Sequence, residues 1–197
     1  MYHRFIAAVL TTGTLLLGAY SEAHAKDSAV SPSEKIASGA LSAEAAMLKR
    51  LRTEAEIAAE HARYAQRRPD DIAWVHRYMR HVRHALDPSS EPDGPGLNYG
   101  VIETSERLEK AMAARLPGLS NAARVPAETV RAGAANAAGW ASEIMALSGN
   151  ILVEESTNAL VNSWTKTIEE LTTKLLAGSD SVPGIQQAQD AFARLNN

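Results

Sequence analysis

Residues 48–86 read LKRLRTEAEIAAEHARYAQRRPDDIAWVHRYMRHVRHAL, and the spacing of their apolar positions points to an all-α fold. Leu48, Leu51, Ala55, Ala58, Ala62 and Ala65 recur at steps of three and four, which puts them on one stripe of a helix starting near Ser42. The stripe is mostly alanine, so a partner helix can approach closely. Gln66 to Pro69 interrupts it, and Asp70 follows as a side chain suited to accept an orphan backbone N–H at the start of the next helix. Ile72, Val75, Met79, Val82 and Leu86 form a second stripe, and Trp74, Tyr78, His81 and Ala85 a third on nearly the opposite face of the same helix. Two helices joined by so short a turn make an antiparallel hairpin, with the second helix covered on two sides.

Downstream, residues 87–100 carry three prolines and three glycines, which exclude regular structure. A connection of that length inside a compact domain is usually functional or unstructured. A helix is expected from Val101 to Arg115, then a breaker region from Pro117 to Pro126, then a long Ala-rich helical tract from Ala127 to about Leu176. Trp140, Ile144, Leu147 and Ile151 stripe its first part; Val161, Trp164, Ile168, Leu171 and Leu175 stripe its second. Gly149-Asn150 is the expected point of any bend or split. Ala132 to Gly139 suits close helix contacts or an exposed partner-seeking face. Pro183 opens a last short helix ending near Leu195. No run alternates with period two for long, and no solenoid repeat is present. The expected architecture is an antiparallel helical bundle of about four to six helices over residues 42–197, its core built from Leu, Ile, Val, Ala and the three tryptophans.

Upstream, Phe5 to Ala19 is apolar, Arg4 precedes it and Ala23-His24-Ala25 closes it with small residues at the two positions a signal peptidase reads. Residues 1–25 are therefore expected to be a cleavable signal peptide, cut after Ala25, and the mature protein to be periplasmic or secreted. The apolar run is about 15 residues and is diluted by Thr11, Thr12 and Thr14, short of the roughly 20 a spanning helix needs, so no transmembrane segment is expected after processing. Residues 26–41 read as a flexible lead-in.

The net charge is −3, which argues against a nucleic-acid partner. The chain has no cysteine, so thiol catalysis, c-type haem attachment and Cys-ligated metal sites are excluded, and packing alone must hold the fold. No nucleophile elbow, zinc helix, phosphate loop or Rossmann glycine pattern occurs, and no histidine has a Glu three residues before it, as a diiron site requires.

The sharpest local bias is histidine. His61, His76, His81 and His84 fall on the hairpin, with His61 and His76 equidistant from Arg68-Pro69 and hence expected at one level. Neutral imidazoles suit zinc, copper or nickel, and a non-covalent haem between two helices is a further option. Arg63, Arg67, Arg68, Arg77, Arg80 and Arg83 share that hairpin against only Asp70 and Asp71 between His61 and His84. A fixed positive charge one turn away disfavours a bound cation by roughly 1 kcal/mol or more at intermediate dielectric, and favours an anion. Arg77, Arg80 and Arg83 are thus expected to form a surface for a protein partner or a small anionic ligand. The bland expectation for these arginines is pairing with Glu54, Glu56 and Glu60. Asp87, Glu91 and Asp93 offer carboxylates without EF-hand spacing; folding of their loop back onto the hairpin would order it and neutralise the arginines. The favoured function is a non-enzymatic structural or interaction module, the alternative a periplasmic transition-metal- or haem-binding protein. Ligand, partner and oligomeric state are not encoded in any recognisable motif.

Overall fold

The computed structural model describes residues 32–195, with side chains from Leu41 onward; the expected leader, its cleavage point and residues 26–31 of the lead-in lie outside them. The described residues form six α-helices and one 3-10 turn, without a named strand: α1 Pro32–Gln66, α2 Ile72–Leu86, α3 Val101–Arg115, the turn Leu116–Gly118, α4 Asn121–Leu152, α5 Ala159–Ala177 and α6 Ile185–Leu195. The fold is an all-α bundle, as the periodicity predicts.

Two long helices organise it. Each of the four shorter helices packs against both α1 and α4, while no close backbone approach joins α1 to α4 among the described residues. The alanine stripe of α1 is fully buried at Ala55, Ala58, Ala62 and Ala65, which lets α2 lie close. Val75, Met79, Val82 and Leu86 of α2 are buried opposite it. The small residues of α4 do the same for α6: a Cβ on Gly133 would stand 2.9 Å from the Ala188 Cβ, and Ala134, Ala137 and Ala141 are buried. Asn136 Nδ2 also donates to the Pro183 carbonyl at 3.0 Å, so the Ala132–Gly139 segment serves close helix contacts.

Several boundaries differ from the sequence expectation. Helix α1 begins at Pro32, ten residues before Ser42, so most of the expected flexible lead-in is helical; proline suits a first helical turn, where its missing N–H would have no partner. The cap of α2 is Asp71 and not Asp70. The Asp71 N–H closes a turn onto the Arg68 carbonyl at 3.1 Å, which uses Pro69 and Asp70, and Asp71 Oδ1 accepts from Trp74 N at 3.0 Å. Helix α4 starts at Asn121, capped by Ser120, and runs through Pro126. Only one helical bond is lost there, to the carbonyl of exposed Ala122, where water can replace it.

The long tract divides at Val153–Asn158 and not at Gly149-Asn150. Asn158 Oδ1 caps α5 by accepting from Leu160 N and Val161 N, both at 2.9 Å. Gly149 stays helical and lies beside an arginine: a Cβ there would lie 3.4 Å from Arg83 Nη1. The tryptophans are also not core residues. Trp74, Trp140 and Trp164 are half-buried at the margin, and the interior is filled by Leu, Ile, Val, Met and Ala.

Candidate functional site

The turn between α1 and α2 gathers a cluster of rings. Tyr64 and Tyr78 meet edge to face with centroids 5.3 Å apart, and Trp74 tilts against Tyr78 at 4.7 Å. The indole N–H of Trp74 donates to the Tyr64 carbonyl at 2.7 Å, tying α2 back to α1. His61 stacks on Tyr78 at 5.6 Å and meets His81 edge to face at 4.8 Å. Guanidinium groups lie over the cluster, Arg67 on Tyr64 and Arg68 on Trp74, each 4.3 Å from the ring centroid. All five rings are half-buried, so one side of the cluster packs and the other faces solvent.

The two imidazoles share an unusual setting. Nδ1 of His61 and Nδ1 of His81 are both buried without a hydrogen-bond partner. Burial lowers the pKa of His61 below its ordinary 6.5, and the neighbouring His81 lowers it further against a smaller opposing pull from Glu60. Burial lowers His81 as well, helped by Arg77 and His84 and opposed by Glu91.

The other two histidines go elsewhere. His76 Nε2 lies 3.0 Å from the Ile151 carbonyl of α4, and does not meet His61. Five residues at 100° each separate His76 from His81 by about 140° around the helix, so the two cannot share a face. His84 is buried and its Nδ1 lies 2.7 Å from the Glu91 carbonyl in the loop. The expected four-histidine metal set is therefore dispersed; among the described residues no three His, Cys, Asp or Glu side chains converge to hold a metal ion.

The arginine surface is likewise revised. Arg77 and Arg80 are exposed, but Arg83 is half-buried and bridges α2 to α4, its Nη1 donating to the Met145 carbonyl at 2.7 Å and to Ser148 Oγ at 3.3 Å. The expected pairing with the glutamates of α1 holds for none of the three: Glu56 pairs with Arg52 at 2.7 Å, Glu60 accepts the Tyr64 hydroxyl, and Glu54 faces the loop.

Glu54 is the residue that the sequence pattern hides. It is fully buried within the apolar stripe of α1, and its Oε1 accepts from Leu97 N at 2.9 Å and from Tyr99 N at 3.0 Å. The 87–100 loop thus folds back onto the hairpin, as sketched from its sequence, but backbone amides and the His84 ring hold it and its acidic side chains do not. Asp87 instead accepts from Ser89 N at 3.0 Å and Ser89 Oγ at 2.6 Å. Two glycines permit this seat: a Cβ on Gly94 would lie 2.5 Å from the His84 Cβ, and one on Gly96 2.7 Å from Glu54 Oε2. A polar residue interrupting an alanine stripe, upstream of a Gly-rich loop, was the available signal. No helix among the described residues is long and apolar enough to cross a membrane.

No protein-family model, no curated protein and no solved structure matches this chain.

Proposed function

We propose that the chain is an exported, non-enzymatic interaction module that docks an acidic protein surface on the ring cluster at the α1–α2 turn. The observation that carries this is the half-exposed set Tyr64, Trp74 and Tyr78 with Arg67 and Arg68 already stacked on it. Tyr, Trp and Arg are the side chains that most often dominate binding energy at protein interfaces. A guanidinium already lying on a ring loses less freedom when a partner arrives. Exposed Arg77 and Arg80 extend the positive charge along α2, which favours a carboxylate-rich partner. Export rests on the apolar run Phe5 to Ala19 and the Ala23-His24-Ala25 terminus of the leader.

The test is capture from a cell-envelope extract by the immobilised protein, alongside a variant with Arg67, Arg68 and Arg77 all changed to Glu. A partner held by the wild type, lost by the variant and displaced by a polyglutamate peptide is expected. A partner held equally by both proteins would sink this reading. For export, amino-terminal sequencing of the envelope fraction should begin at Lys26.

A second reading, transition-metal binding, keeps one supporting observation: the 4.8 Å His61–His81 pair with its two unpartnered Nδ1 atoms. It narrows the zinc, copper, nickel or haem alternative to a two-imidazole site. A rise in melting temperature with copper or zinc, lost in His61→Gln and His81→Gln, would favour it over protein docking.

A further inference from the structure

A second site lies away from the ring cluster, where the end of the loop meets α1 and α3. A cavity of about 180 Å³ opens there, lined by Arg50 of α1, Asn98 and Tyr99 of the loop, and Glu103, Thr104 and Arg107 of α3, so two guanidiniums face it against one carboxylate. Its walls are held in place from behind. Asn98 has φ +60°, the left-handed region, and is the non-glycine residue in that conformation among the described residues. The amides on either side of it, Leu97 N and Tyr99 N, both end on Oε1 of buried Glu54.

The side chains around Asn98 are arranged for an anion. Arg50 lies over the Tyr99 ring with its Cζ 4.1 Å from the centroid, a cation–π contact that places its guanidinium at the cavity wall. Arg107 stands one α3 turn from Glu103; their contact is long at 3.4 Å and both side chains are about 70% exposed, so it competes weakly for the guanidinium. Thr104 Oγ1 donates to the Tyr99 carbonyl at 3.3 Å, which ties the loop backbone at Tyr99 to α3. The volume lies below the roughly 300 Å³ at which pockets for drug-sized molecules begin, and suits an ion of a few heavy atoms.

We infer that this cavity binds a small oxyanion, a carboxylate or a phosphate, between the Arg50 and Arg107 guanidiniums, with the Asn98 amide as a further hydrogen-bonding group. Planar two-donor forks of arginine match both oxyanions. The inference does not depend on the docking role of the ring cluster.

The experiment is titration of the purified chain with inorganic phosphate and, separately, with succinate, followed by backbone amide NMR at Leu97, Asn98 and Tyr99. Saturable shifts with millimolar affinity are expected for at least one of them, and which one saturates identifies the source of the oxyanion. Arg107→Gln alters an exposed side chain and should weaken binding about tenfold without changing the fold, and Arg50→Lys should weaken it by a similar factor through loss of the stacked fork. Arg124→Gln, an exposed change on α4, is the control and should bind as the wild type does. Absence of a saturable shift with either anion, or binding unchanged in both Arg107→Gln and Arg50→Lys, would overturn the inference.

Discussion

Glu54 holds the end of the loop on one oxygen atom. Two backbone N–H groups, at Leu97 and Tyr99, end on Oε1, and each hydrogen bond of this kind contributes about 1 kcal/mol net. Glu54→Leu should therefore cost about 2 kcal/mol in urea unfolding and make residues 87–100 the first site of proteolytic cutting. Glu54→Gln keeps an acceptor oxygen and should cost less than half as much; equal losses would show that the carboxyl does not hold the loop. Two glycines, one in this loop and one in α4, divide by the space around them. An added Cβ at Gly94 meets the His84 side chain at 2.5 Å, so Gly94→Ala should destabilise by about 1–3 kcal/mol through overpacking. Gly139 lies inside α4, is exposed, and has nothing within 4 Å of an added Cβ; Gly139→Ala should stabilise by about 0.5–1 kcal/mol. Melting curves of the two variants should move in opposite directions.

The α1–α2 hairpin makes its own pH prediction. His61 and His81 have folded pKa values below 6.5, because burial resists protonation of both, reinforced by His81 at His61 and by Arg77 and His84 at His81. The unfolded chain then binds protons that the folded one refuses once the pH drops below 6.5. The stability that depends on the neutral pair is complete above that value and declines as the pH falls toward the lowered folded values. Melting temperature should be flat from pH 8 to about 6.5 and fall below it, and His81→Gln should flatten the fall, since it removes one proton site and one neighbour of the other. A slope unchanged in His81→Gln would show that the acid response comes from carboxyl groups elsewhere. The hairpin also shows how far periodicity reaches. The steps of three and four placed α2 within a residue of its observed start, because one buried stripe is all that they require. They misplaced the start of α4, because a proline near a helix end costs little once water serves its lost partner. The meeting of His61 with His81 was not readable either: it depends on how many residues the turn consumes, and the Asp71 cap sets that number.

Among the described residues the molecule is two long helices that do not approach each other closely, joined through four shorter ones, in a chain without a cysteine to reinforce it. Every short helix is then a bridge, and the shortest should matter beyond its length. Helix α6 covers α4 where α4 is poorest in side chain: Ile185, Ala188, Ala191 and Phe192 are buried on one face, and Gly133 approaches Ala188 too closely for any larger residue. Gly184 N donates to Gln187 Oε1 at 3.0 Å, and Gln187 Nε2 donates to the Ala177 carbonyl, which locks the turn leading into it. Burial of side chains the size of Ile185 and Phe192 contributes roughly 2–3 kcal/mol each, a large share of the 5–15 kcal/mol that holds a typical domain folded. Ending the chain after Ser179 should therefore abolish cooperative thermal unfolding measured by circular dichroism, with helical signal falling gradually in place of a sharp transition. A truncated chain that still melted in one cooperative step near the full-length temperature would mean that α4 keeps its place on α3 and α5 alone, and that α6 is an appendage to the bundle and no part of its frame.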